Sequence, residues 1–157
     1  MTSNSWAGFR AAEPGFAETV QKRFEQYKHH VLATLRKDGS PRVTGLEMTF
    51  RFGELWLGMM PGSRKAQDLQ RDPRFALLAN PGADDSMGGG DVRVAGRAVE
   101  VTDPGEKARF VAEAKPPEPF QLFRVELGEV VQTYVDGEEL VVRTWQPGAA
   151  VRTQRRR

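Results

Sequence analysis

The sequence predicts a mainly β domain, with antiparallel strands in hairpin order curled into a small closed barrel and a few short helices packed on it. Three observations carry this. Apolar side chains alternate with period two in short segments from Val31 to Trp145. Turn dipeptides (Asp38-Gly39, Phe52-Gly53, Asp136-Gly137) separate neighbouring segments by the few residues a hairpin needs. Helical spacing occurs only in brief stretches between them.

The first helical spacing is Phe16, Val20, Phe24 and Tyr27, following Pro14-Gly15, and it predicts a helix of about four turns. Residues 1–14 are expected to be flexible and residues 15–146 to form the domain. From His30 the period changes. Residues 31–35 read as a strand, and Lys37-Asp38-Gly39-Ser40 as a hairpin turn with glycine where positive φ is wanted. Residues 42–52 alternate, with Thr44, Leu46, Met48 and Phe50 on one face. Beyond the Phe52-Gly53-Glu54 turn, residues 55–60 are apolar on both faces, as in a strand covered on one side by core and on the other by something else. Pro61-Gly62 ends that strand.

Residues 63–70 read as a short helix stopped before Asp72-Pro73, and residues 75–79 as the next strand. A loop over 80–90 ends in Gly88-Gly89-Gly90. Val92, Val94, Gly96 and Ala98 then line one face of a further strand. Asp103-Pro104 has the form of a helix start, with an N-cap followed by proline at N1, and Phe110 and Val111 give that helix its apolar side. After Lys115-Pro116-Pro117-Glu118-Pro119 come two last strands, 120–134 and 139–145. The barrel is expected to hold six strands.

A chain of 157 residues with 39% hydrophobic and 28% charged residues is an ordinary globular composition. It contains no cysteine, which excludes disulfides, thiolate metal sites and a cysteine nucleophile. No apolar run approaches the ~20 residues that cross a bilayer, and the first dozen residues lack a signal-peptide core, so a cytoplasmic protein without membrane partners is expected. The net charge of +2 is a tail effect: without Arg152, Arg155, Arg156 and Arg157 the body carries about −2. Residues 147–157 are read as a disordered, solvated basic tail, and no basic stripe with interleaved aromatics points to nucleic acid.

The most informative segment is Ser63-Arg64-Lys65. A helix start carries about half a positive charge from its unpaired N–H groups, so cations there are misplaced. Here Arg64 and Lys65 occupy the first two helical positions, and Ala66 at N3 rules out a capping box. A bound anion resolves the conflict, since free N–H groups, a hydroxyl, a guanidinium and an ammonium converge on it.

The order of segments strengthens this. Leu32-Ala33-Thr34-Leu35-Arg36-Lys37-Asp38-Gly39-Ser40-Pro41-Arg42-Val43, then Gly53-Glu54-Leu55-Trp56-Leu57-Gly58, then Ser63-Arg64-Lys65-Ala66-Gln67-Asp68-Leu69, then Asp72-Pro73-Arg74-Phe75-Ala76-Leu77 resembles the pyridoxamine 5′-phosphate oxidase-like, FMN-binding split-barrel superfamily. The resemblance covers about residues 15–145. It implies a six-stranded antiparallel split β-barrel and a homodimer with FMN at the subunit interface. Ser63, Arg64 and Lys65 would hold the cofactor phosphate. Arg42, Val43, Thr44 and Gly45 would run along ribityl and ring, with Thr44 and Gly45 at the isoalloxazine edge. Leu57, Gly58 and Met59 match the strand before the phosphate helix, and Asp91 stands where the oxidases often have a glutamine touching the flavin.

The pattern is departed from at Glu47, where the family has a lysine region, and at Asp91, which is acidic. The oxidases' C-terminal Arg-His-Asp-Arg segment, which grips pyridoxal phosphate, finds no counterpart. The resemblance therefore implies a flavin-dependent oxidoreductase acting on some other small molecule. The deazaflavin coenzyme F-420 in the same groove, or a non-catalytic flavin or haem carrier, are the alternatives.

Other constellations are weaker. His29 and His30 are the only histidines, and strand geometry sends adjacent residues to opposite faces, so they are read as surface residues at a helix-to-strand junction. The acid pairs Asp84-Asp85 and Glu138-Glu139 are read as solvated turns, and Trp56 and Trp145 as core or interface residues. No nucleophile elbow is present. The absence of a general base suits a flavin, which carries hydride chemistry in its own ring.

Overall fold

A computed structural model describes residues 2–83 and 90–157. Among the described residues four helices and nine strands follow one another: α1 (Trp6–Ala12), α2 (Pro14–Glu25), β1 (His30–Leu35), β2 (Pro41–Leu46), β3 (Met48–Arg51), β4 (Glu54–Met59), α3 (Arg64–Arg71), β5 (Arg74–Leu78), β6 (Asp91–Glu100), α4 (Pro104–Ala114), β7 (Gln121–Asp136), β8 (Glu139–Trp145) and β9 (Arg152–Arg156). None of the described helices is long and apolar enough to cross a membrane.

The strands form one antiparallel sheet in the order β2-β1-β5-β6-β7-β4-β3, with β8 on β7 and β9 on β8. The two ends of this path, β2 and β3, are consecutive in the chain and separated only by Glu47. The expected single strand over 42–52 is thus broken. Its first half pairs with β1 and its second with β4, so the curled sheet is joined by covalent chain where no ladder closes it. The barrel is split rather than closed. Counting β2 and β3 as halves of one strand, the barrel has six, and the expected strand over 139–145, here β8, extends beyond it together with β9.

The core fills the inside of the curl. Leu32, Leu55, Leu57, Leu77, Val92, Val94, Phe123 and Val130 are inaccessible to solvent, and each comes from the apolar phase of its strand's alternation. Gly96 sits where β7 bulges, since the register jumps from Ala95↔Glu129 to Gly96↔Leu127. A Cβ at Gly96 would collide with the carbonyl of Glu126 and the amide of Gly128, so the bulge requires glycine.

Several expectations are corrected. Residues 2–14, expected to be flexible, are built into the fold: Ser5 caps α1 by accepting from Gly8 N, and Trp6 and Phe9 are buried. Phe9 meets Trp6, Phe16 and Trp145 with ring centroids 5.3, 5.5 and 4.6 Å away, so α1 joins the main core. The helix expected to reach Tyr27 stops at Glu25, and Tyr27 is exposed. The tail is not disordered: Arg152–Arg156 pair with β8 from Thr144↔Arg152 to Leu140↔Arg156. Its ladder depends on backbone groups, to which a tally of side-chain charge is blind. The loop sites Asp84-Asp85 and Gly88-Gly89 lie outside the described residues.

The second cover of β4 is α4. Trp56 packs in a small satellite cluster with Val101, Phe110 and Leu122, while Leu55, Leu57 and Met59 face the main core. At 3% exposure Trp56 is no interface residue, and of the large apolar side chains over 55–60 only Met60, at 77%, lies open.

Candidate functional site

The α3 start has the form read from the sequence. Ser63 is the N-cap, its hydroxyl accepting from Ala66 N at 3.3 Å, and Arg64 and Lys65 follow in the first turn with no acid among them. Lys65 turns toward β2, where its Nζ donates to the Gly45 carbonyl at 2.8 Å. Burial pushes the Lys65 ammonium below the usual lysine range, because among the described residues only one neutral carbonyl offsets its lost water. Among the described residues neither Arg64 nor Lys65 makes an ion pair.

The helix is anchored by Asp68, to which the sequence alone assigns no role. It is buried, and it accepts from Thr34 Oγ1 at 2.8 Å, Arg42 Nε at 2.7 Å and Arg71 Nη2 at 3.0 Å. Burial pushes its carboxyl up, but the bonds from Arg42, Thr34 and Arg71 together hold it below the usual range. Arg42 is therefore a strut between β2 and α3. Its guanidinium also lines an open cleft of about 640 Å³ between the β1–β2 hairpin and α3, together with Arg36, Lys37, Arg64 and Arg71. Four arginines and a lysine against two aspartates make this cleft attractive to anions.

The structure unites part of the expected site and divides the rest. Lys65 and Gly45 touch. Thr44 presents a buried hydroxyl oxygen that has no hydrogen-bond partner. Nothing lies within 4 Å of where a Cβ would stand on Gly45 or on Gly58, so both backbones are open to a planar ligand. Val43 is 67% exposed. Leu57 and Met59 point their side chains into the barrel core and can offer a ligand only backbone. Asp91 stands apart. It begins β6, whose other end, Glu100, accepts from Gln70 of α3 at 2.9 Å; ten extended residues put roughly 30 Å between these ends. His30, expected at the surface, is 3% exposed: its ring lies 5.1 Å from that of Phe24, and its Nδ1 accepts from Asn80 N at 2.9 Å. His29 stays outside, 3.2 Å from Glu47. Among the described residues no three His, Cys, Asp or Glu side chains form a metal-type cluster.

A broken-strand barrel with a serine-capped, doubly basic helix start defines a class. The family model described as pyridoxamine 5′-phosphate oxidase matches residues 16–134, and the chain belongs to this family. No curated protein matches it. Similar solved structures include PhzG from Burkholderia lata in complex with tetrahydrophenazine-1-carboxylic acid (14% identity, 95% of this chain and 91% of that one, TM-score 0.63). A pyridoxamine 5′-phosphate oxidase-related, FMN-binding protein from Nostoc punctiforme is alike over 92% and 96% of the two chains (16% identity, TM-score 0.62). A heme-binding protein from Mycobacterium smegmatis shares 18% identity over 87% of this chain and 57% of that one, with TM-score 0.53. These likenesses show the split-barrel fold, which carries FMN in one neighbour and heme in another.

Proposed function

We propose that this protein is a flavin-dependent oxidoreductase that holds FMN between β2, β4 and the start of α3. The observation that carries the reading is the half-buried Lys65 ammonium bonded to Gly45 O, with no acid partner among the described residues, beside Arg64 at a helix end that already favours negative charge. Thr44 Oγ1 supports it as an unpaired polar atom on the same strand, and the open backbones of Gly45 and Gly58 leave room for a ring. When bound, the flavin supplies the hydride chemistry. The chain's own groups bind and orient: Ser63, Arg64 and Lys65 take the phosphate, Arg42 holds β2 to α3 through Asp68, and Gly45, Thr44 and Gly58 lie along the ring system.

Such a groove lies outside the barrel, whose interior is filled by side chains, and a second copy of the chain would cover it. The support for a homodimer is the outer face of β1, β2, β5 and β6. Its cross-strand row Val43–Ala33–Ala76–Ala95 and the adjacent row Gly45–Val31–Leu78 are apolar or small, with Val31 and Val43 exposed. Packing two such faces buries the same patch twice. Asp91, too far from α3 in its own chain, would join a flavin only across that boundary.

The test is titration of FMN, deazaflavin F-420 and haemin into the wild-type chain, Arg64→Ala and Lys65→Ala, read by visible absorption and fluorescence. FMN binds the wild type, and each substitution weakens it by one to two orders of magnitude, as loss of a charge-assisted hydrogen bond worth ~1.5–3 kcal/mol requires. Unchanged affinity in both variants rejects the phosphate assignment. Preference for F-420 or haemin moves the protein to the corresponding alternative, and oxidation of a reduced nicotinamide by the FMN-loaded protein separates enzyme from carrier.

A further inference from the structure

The cleft between α3 and the β1–β2 hairpin is longer than one phosphate requires. Arg64, Gln67, Asp68 and Arg71 follow one another at i, i+3, i+4 and i+7, so they form a single stripe along α3. All four line the cleft of about 640 Å³, and Arg36, Lys37, Asp38 and Arg42 form its opposite wall. From Arg64 to Arg71 the stripe runs about 10 Å at 1.5 Å per residue.

Asp68 draws the middle of the cleft together. Its Oδ2 accepts from Arg42 Nε at 2.7 Å and its Oδ1 from Arg71 Nη2 at 3.0 Å, so both guanidiniums meet on one carboxylate. Arg71 Nη2 also donates to Leu35 O at 2.9 Å, which sets the base of the hairpin, and with it Arg36, against the last turn of α3. A guanidinium has five N–H donors; these bonds occupy only Nε of Arg42 and Nη2 of Arg71. Among the described residues the ion pairs of the cleft are those two, and Arg36, Lys37 and Arg64 enter none. Asp38 is the other acid of the lining. Arg36 acts on it through space, but its hydrogen bonds go to Ser40 N at 2.9 Å and Ser40 Oγ at 2.6 Å.

Charge decides how many anions this arrangement takes. The phosphate of the proposed flavin uses Ser63, Arg64 and Lys65 at the start of α3. Four cations, Arg36, Lys37, Arg42 and Arg71, then remain against two acids, Asp38 and Asp68. The excess of two positive charges matches a second phosphate group, which carries about −1.5 to −2 near neutral pH.

We propose that the cleft is a two-anion site: beyond the cofactor phosphate, Arg36, Lys37, Arg42 and Arg71 seat a second phosphate-type anion. The inner position rests on the flavin reading; the outer one rests only on the hairpin and the second half of α3. Two sources share this chemistry, the second phosphate of a dinucleotide cofactor and a separate phosphate-bearing ligand.

The experiment is calorimetric titration of the full chain, first without cofactor and then loaded with FMN. Without cofactor, inorganic diphosphate binds about tenfold or more tightly than inorganic phosphate. The double variant Arg36→Gln/Lys37→Gln removes most of that difference and leaves FMN affinity within about twofold. Both residues are exposed in the hairpin turn; a thermal melt checks the fold, and Lys37→Gln alone gives a smaller loss in the same direction. Flavin adenine dinucleotide that binds more tightly than FMN, by a margin lost in the double variant, assigns the second anion to the cofactor. Phosphate that binds the FMN-loaded chain, with the same dependence, assigns it to a separate ligand. If FMN binds and neither result follows, the proposal is overturned. Diphosphate no tighter than phosphate, or a double variant that weakens FMN and diphosphate alike, overturns it too and leaves the flavin reading standing. A chain that fails to bind FMN, yet keeps the preference for diphosphate through Arg36 and Lys37, overturns the flavin reading and not this one.

Discussion

His30 opens β1 with its ring against Phe24 and its Nδ1 accepting the Asn80 N–H, which places the proton of the neutral ring on Nε2. Burial holds its pKa below the usual histidine value, against the opposing effect of the Phe24 and Tyr27 carbonyls. The sign follows from linkage: below about pH 6.5 the unfolded chain takes up a proton that the folded one refuses. Stability is therefore complete above that pH and falls as pH drops through the folded pKa, where Nδ1 loses its role as acceptor. Urea denaturation at pH 7.5, 6.5 and 5.5 gives a midpoint that declines with acidity in the wild type, and His30→Gln removes most of that decline. An identical slope in the variant removes His30 as the cause. Asp68 acts in a different window: its lowered pKa supports the fold above the ordinary aspartate value and is lost only in stronger acid, so the two effects separate on the pH axis.

At the scale of elements, α1 is the piece that a reading of periodicity passes over. Seven residues are too short to show a repeat, and only Trp6 and Phe9 face inward. Isolated, such a helix is unstable; it exists because Phe9 is wholly buried among Trp6, Phe16 and Trp145. Phe9→Ala should cost ~3–5 kcal/mol in a urea titration, the usual figure for emptying a buried aromatic position. A loss under ~0.5 kcal/mol would mean that the core holds together without α1. The β8–β9 hairpin has the opposite character. All five β9 side chains are exposed, so its order comes from the ladder and from contacts such as Arg155 with Asp136 at 3.0 Å.

For the molecule as a whole, the proposed dimer uses the small-residue outer face. Ala76 lies between Ala33 and Ala95 across the strands and away from β2, so a charge there disturbs the face without touching the residues assigned to the cofactor. Ala76→Glu should convert a dimer into a folded monomer in light scattering and lower FMN affinity at least tenfold, because the groove loses its cover. A monomeric variant that binds FMN as tightly as wild type places the site within one chain. A variant that stays dimeric moves the interface elsewhere.

The fold class, most strand positions, the Ser63 cap and the misplaced charges of Arg64 and Lys65 were legible in the sequence, because each is a local matter of side-chain period, turn chemistry or helix-end electrostatics. Membership of the family could be read from the same segments. Three features needed the tertiary structure, because each depends on residues distant in the chain. The break at Glu47 arises when β2 and β3 choose different partner strands, although the alternation runs through it without a change of phase. The burial of Trp56 depends on α4, more than forty residues later. The separation of Asp91 from the phosphate helix follows from β6 running straight between them, which neither residue's identity encodes. Pattern reports which face a side chain occupies; only packing reports what lies opposite that face.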